Sequence, residues 1–177
     1  MFEQRYEKKV SLRCELNATA FPIEILNQWD LTELEIIGGS FTYFPEDISI
    51  LKNLKKLSIV STKIDRLPSE IFLLPNLTYL SLKNNRLDSL PALSGTSSLQ
   101  TLIIGRNFLT TKNTNYFFSD FPKLSILDLG HNFLNSVPES LFDLKNLKRL
   151  NLEGNKLKGD SHMKLKNLSQ LDHLSLF

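Results

Sequence analysis

The sequence predicts an α/β repeat fold, a solenoid of stacked coils, and three observations carry that expectation. An eleven-residue pattern recurs along most of the chain. A turn residue, most often Asn, closes it. A return segment, usually with a Pro, follows. The clearest copy is Leu77-Thr78-Tyr79-Leu80-Ser81-Leu82-Lys83-Asn84-Asn85-Arg86-Leu87, which reads L-x-x-L-x-L-x-x-N-x-L. Self-similarity at a fixed period marks an array of like units, none of which buries its apolar side alone.

With the first Leu as position one, units begin at Leu31, Leu54, Leu77, Leu99, Leu124, Leu147 and Leu171. Position four is Leu throughout, from Leu34 to Leu174, and position six is Ile36, Ile59, Leu82, Ile104, Leu129, Leu152 and Leu176. Positions four and six lie two apart, so they point to one side of a short strand. Positions three, five and seven point to the other side. At position nine stand Asn85, Asn107, Asn132 and Asn155. Their amides can satisfy backbone groups inside a sharp turn and bond to stacked copies of themselves. Gly39 and Thr62 replace Asn in the first two full units, which predicts a ladder incomplete at that end.

The return segment carries Phe44-Pro45, Leu67-Pro68, Leu90-Pro91 and Val137-Pro138. Pro pushes the preceding residue to extended geometry, so the outer side is not simply helical there. Ile48, Ile71 and Leu141 follow three residues after Pro, and Leu51, Leu74 and Leu144 three later. That spacing is one apolar edge of a 3₁₀ or short helical turn. The unit starting at Leu99 is longer and lacks Leu-Pro. Its Tyr116-Phe117-Phe118-Ser119-Asp120-Phe121 stretch predicts a short outer helix packing Phe117, Phe118 or Phe121 inward, with an exposed outer contact site as the alternative.

These residues resemble the leucine-rich repeat family over about residues 31–177. The 23-residue form with L-P-x-x-[IL] is similar to bacterial and plant intracellular-type repeats, and to those of spirochaete proteins in particular. The resemblance implies a right-handed solenoid, a horseshoe arc with a parallel β-sheet on the concave side and 3₁₀ or short helices on the convex side. It also implies a non-enzymatic module that meets its ligand on the concave face.

The chain divides into residues 1–30, an N-terminal cap and degenerate first coil, and residues 31–177, the repeats. Val10, Leu12, Phe21-Pro22, Ile25 and Trp29 mark the degenerate coil, and the first nine residues are expected to cover the open end of the core. The strand starting at Leu171 has no return segment after it, so a pairing edge is expected there, met by homodimerisation through the C-terminal end, by cover from outside this chain, or by further sequence beyond Phe177.

Composition narrows the classes of function. Lys plus Arg number 21 against 19 Asp plus Glu, a net +2 that does not support general attraction to nucleic acid or membranes. No run approaches the length of a membrane span, so no membrane insertion is expected. With no export signal visible before Cys14, the single cysteine, a cytoplasmic location is expected, with secretion or surface display as the alternative. No nucleophile motif or phosphate loop appears, so no catalytic residues and no cofactor are expected. Asp128, His131, Glu153 and His173 fall on successive coils, but without the tight spacing of a metal site.

The candidate partner-binding residues alternate with the core leucines. Tyr79, Ile103 and Ile126 form a diagonal apolar patch, flanked by Lys56, Lys83, Asp128 and Arg149. Charges of both signs argue against a phosphate-backbone track. An apolar patch with a polar rim is the signature of an interaction site, and seven strands give a sheet roughly 30 Å wide, the size of a protein partner. The function expected is therefore protein binding on the concave face. The alternative is a self-associating structural or adhesive repeat protein, touching a host if the source is a pathogen.

Overall fold

Each unit opens with a strand because its apolar residues alternate there, and a computed structural model places all of these strands in one sheet. The structure describes residues 8–176. Strands β1 (Lys9–Cys14), β2 (Glu33–Gly38), β3 (Lys56–Val60), β4 (Tyr79–Ser81), β5 (Thr101–Ile103), β6 (Ile126–Asp128), β7 (Arg149–Asn151) and β8 (His173–Ser175) pair in sequence order, all parallel. Parallel neighbours of this kind need a crossover, which is right-handed almost without exception. The result is the open right-handed solenoid expected. It has one more strand among the described residues than the seven unit starts imply, because the degenerate first coil also contributes a strand. Lys9 already belongs to β1, while residues 1–7 of the expected cap lie outside the described residues.

The register is like on like. Val10, Leu34 and Leu57 stand side by side, as do Leu80, Leu102 and Leu127. Positions four and six from Leu34 to Leu152 are buried together with the position-eleven residues from Phe41 to Leu134. These side chains form one continuous core running the length of the stack.

The return segments follow the Pro-led pattern. Pro22, Pro45, Pro68 and Pro138 immediately precede 3₁₀ turns at Ile23–Asn27, Glu46–Ile50, Ser69–Leu73 and Glu139–Asp143. Their fixed φ starts the turn, and Ile25, Ile48, Ile71 and Leu141 are its buried side. Pro91 is the exception, since no helical turn follows it. Three residues after it stands Ser94 rather than Ile or Leu, followed by Gly95, so no apolar side chain anchors a turn.

The unit that follows fills the space left behind. Helix α1 (Thr111–Thr114) leads into a 3₁₀ turn at Phe117–Asp120, and Phe118 and Phe121 are fully buried. Phe72, two coils back, meets Phe117 at 5.2 Å between ring centroids and Phe121 at 5.9 Å, both edge-on. Edge-to-face aromatic pairs at this distance are favourable beyond their buried area. The inward packing expected for these rings is therefore what the structure has, and of the stretch's aromatic residues Tyr116 alone stands well out, 79% exposed. Helix α2 (Ser161–Leu165) closes the last return, with Leu165 and Leu168 against the core.

The asparagine ladder differs from the expectation in one respect. The amides do not bond to each other; each bridges the backbone of two coils. Asn107 Nδ2 donates to Leu82 O and Ile104 O, both at 3.0 Å, while its Oδ1 accepts the Leu87 N–H at 3.0 Å. Asn132 repeats the arrangement on Ile104, Leu129 and Leu109. An amide spent on its stacked neighbour would leave buried backbone groups without partners, and those must be satisfied first. Thr62 joins the ladder through its N–H and hydroxyl, both donated to Asn85 Oδ1, so the break falls at Gly39 alone. A second ladder on the outer side was not anticipated. There Asn53, Asn76, Asn146 and Gln170 donate to Trp29 O, Lys52 O, Pro122 O and Leu144 O of the preceding coils.

Candidate functional site

The face opposite the core is set by the same alternation. Its third-position row runs Lys9, Glu33, Lys56, Tyr79, Thr101, Ile126, Arg149 and His173, in strict register. The fifth-position row beside it includes Ser58, Ser81, Ile103, Asp128 and Asn151. Lys9 and Ser11 are additions from β1. The Val10 and Leu12 alternation signals them, once that segment is counted as a strand rather than as part of a cap.

The rows divide the face into three zones. The first is ion-paired. Glu33 Oε1 lies 2.9 Å from Lys56 Nζ, and its Oε2 is 3.7 Å from Lys9 Nζ. The hydrogen bond from Lys56 holds the Glu33 carboxyl below the usual carboxylate range. Desolvation opposes that shift and the charges of Lys56 and Lys9 add to it. Ser11 Oγ donates to Glu35 at 2.8 Å. Lys9, Glu33, Glu35 and Lys56, with Ser58 and Tyr79, line a shallow depression of about 320 Å³.

The second zone is apolar. Tyr79 and Ile126 lie in one row with Thr101 between them, and Ile103 sits diagonal to both, so the three surround Thr101. All three are half-buried: their flanks pack on the sheet and their ends face solvent. The structure thus brings Tyr79, Ile103 and Ile126 together as the spacing predicts. Lys83 stands exposed beyond the end of β4, with no ion-pair partner among the described residues.

The third zone is hydrogen-bonded. Asp128 Oδ1 accepts the Gly130 N–H and the Asn151 amide, both at 2.8 Å, and Asn151 Oδ1 accepts the Glu153 N–H at 2.9 Å. This network explains two glycines. A Cβ on Gly130 would lie 2.7 Å from Asn151 Nδ2, and one on Gly105 would lie 3.0 Å from Gly130 O. Asp128 therefore organises the sheet surface as much as it presents charge. Arg149 is exposed beside Ile126, with His173 on its other side.

Asp128, His131, Glu153 and His173 do not converge, and among the described residues no group of three or more His, Cys, Asp or Glu side chains is placed to hold a metal ion. No helix among the described residues is long and apolar enough to cross a membrane. Cys14 is half-buried against the core.

Comparison with known proteins places this geometry in context. A leucine rich repeat family model matches residues 52–109, 97–157 and 122–177. Osteomodulin of Bos taurus is 42% identical over 62 residues, 35% of this chain and 14% of that protein. A leucine-rich repeat protein of Leptospira interrogans has a similar structure, with a TM-score of 0.76 and 31% identity over 89% of this chain and 40% of its own. An internalin (InlF) of Listeria monocytogenes aligns with a TM-score of 0.69 and 24% identity, covering 90% of this chain and 45% of its own. TLR13 in its complex with ssRNA13 gives 0.71 and 24%, covering 91% and 23%. The last two share the fold alone. The chain spans less than half the length of each of these proteins.

Proposed function

The chain belongs to the leucine-rich repeat family, whose members generally act as non-enzymatic protein–protein interaction modules, and from that premise we propose that it binds a protein partner on its concave face. The observation that carries the proposal is the half-exposed triangle of Tyr79, Ile103 and Ile126, set between the Glu33–Lys56 ion pair and the exposed Arg149. Binding energy in protein interfaces concentrates in a few aromatic and apolar anchors surrounded by a polar rim. Eight strands at about 4.8 Å spacing make a face more than about 30 Å across, which suits a macromolecule better than a metabolite.

The test is a binding measurement on the triple variant Tyr79→Glu, Ile103→Glu, Ile126→Glu. The partner is first recovered with the wild-type chain and then titrated against both by calorimetry. Affinity should fall by about a hundredfold or more, with circular dichroism unchanged. Tyr116→Glu on the outer side serves as the control and should bind normally. Equal affinity of the triple variant and wild type would exclude the concave face.

A further inference from the structure

One flank of the solenoid carries residues that neither the core nor the concave face requires. Position eight of each coil from Leu31 to Leu147 takes left-handed backbone: φ is +83° at Gly38, +59° at Ser61 and Asn84, +57° at Arg106, +54° at His131 and +67° at Gly154. Glycine adopts this region without steric cost and Asn tolerates it, whereas larger side chains strain it. The coils of Leu31 and Leu147 use Gly and that of Leu77 uses Asn. Only the coils of Leu99 and Leu124 place long, exposed polar side chains there, Arg106 and His131.

The same two coils also place Phe108 and Phe133 at position ten, 48% and 42% exposed, although the neighbouring Leu109 and Leu134 already fill the core. The two rings stack, with centroids 5.9 Å apart and planes 27° apart. Lys156, at the same position one coil on, sets its ammonium 4.8 Å from the Phe133 centroid. Arg86 takes that position one coil before. The flank is thus a ladder of cation, ring, ring and cation, one rung per coil.

The chemistry of this strip selects its partner. Arg86, Arg106 and Lys156 have no carboxylate partner among the described residues, although the whole chain carries only +2. Phe133 has Phe108 against it from one coil and Lys156 from the next, so that ring offers solvent mainly its edge. Ring edges carry the positive end of the aromatic quadrupole and face carboxylates favourably. Base stacking needs open ring faces, and Phe133 offers none.

We propose that this flank is a docking surface for an acidic, extended segment of a partner protein, with apolar side chains over Phe108 and Phe133 and carboxylates on Arg86, Arg106 and Lys156. His131 lines the middle of the track. The proposal is independent of the concave reading.

The experiment titrates the chain with a fluorescein-labelled peptide of repeating Glu-Glu-Leu, the same peptide with Lys for Glu, and oligo-dT. The Glu peptide should bind, weaken steeply with added salt, and lose about tenfold or more in affinity with Arg106→Glu and with the double variant Phe108→Ser, Phe133→Ser. Arg106→Glu changes an exposed charge only, so it remains informative if the double variant folds poorly. The concave triple variant should bind the peptide as wild type does. Equal binding of the Lys peptide, tighter binding of oligo-dT, or loss confined to the concave variant would each overturn the proposal.

Discussion

Strands β1 to β3 and strands β4 to β7 meet the same demand by different means. The demand is a donor for the carbonyls where the strand runs into its turn. In the first group regular pairing supplies most of it: the strands span six, six and five residues, and pairing continues through Ile36 with Ile59 and Ile37 with Val60, so a side chain enters only at the far edge of β3, where Asn85 donates to Ile59 O at 2.8 Å. In the second group the strands span three residues and the Asn amide takes over. Leu82 O accepts from Asn85 at 2.9 Å and from Asn107 at 3.0 Å, and Leu129 O accepts from Asn132 at 3.0 Å and from Asn155 at 2.9 Å. The amide works beside backbone bonds that still run between these coils, such as Leu82 N–H to Ile103 O at 2.7 Å and Leu129 N–H to Asn151 O at 2.9 Å, and among the described residues no buried side-chain nitrogen or oxygen lacks a partner. Where Gly39 removes the amide, the longer strand makes the loss tolerable.

The comparison breaks most sharply at the ladder. Asn132→Ala leaves Leu109 N–H without its acceptor and removes a donor from two buried carbonyls. Unfolding in urea should show a loss of about 3 kcal/mol. Thr62→Ala, at the edge of the strand-rich group, should cost about 1 kcal/mol, since it removes the hydroxyl that donates to Asn85 and accepts the Ile64 N–H at a long 3.3 Å, while the Thr62 N–H still reaches Asn85. Equal losses would erase the distinction between the two groups.

A smaller effect tests the two kinds of glycine turn. At Gly39 φ is +92° and a Cβ would lie 2.7 Å from Cε1 of the fully buried Phe41. At Gly154 a Cβ would collide with the ring of His131, which is exposed and can swing aside. Thermal melting should therefore show Gly39→Ala losing about 2 kcal/mol and Gly154→Ala about 1 kcal/mol. The reverse order would mean that the core yields more easily than the surface.

The smallest effect lies in the ion-paired zone. Because its folded-state pKa is depressed, Glu33 contributes stability above its unfolded pKa and loses it as pH falls through the folded value. Glu33→Gln should cost about 0.5 kcal/mol at neutral pH. The gap to wild type should close as acid protonates Glu33. A gap that persists in acid would assign the effect to packing rather than to charge.

Much of the fold was legible from spacing. The leucine slots located the strands from Leu31 onward, and the Pro positions located four of the outer turns. The concave rows followed from alternation alone, which is why Tyr79, Ile103 and Ile126 were found together. Other features were not legible. Asp128 reads as a free charge, because nothing in its own coil reveals that Asn151, 23 residues later, will donate to it. The Phe72–Phe117 contact depends on a neighbouring coil's excess of aromatic volume. The ring ladder at Phe108 and Phe133 is visible only once the coils are in register.

What the sequence determined by itself is therefore everything that lies within one coil: which residues face the core, where the strand begins and where the chain turns. Periodicity and backbone sterics are local, and they act the same way in every unit. What only the tertiary structure decided is everything between coils: the bridging amides, the shared carboxylate of Asp128, the aromatic fill behind the irregular coil and the flank of rings and cations. Those contacts join residues 20 or more positions apart, and their partners are chosen by how closely the coils stack.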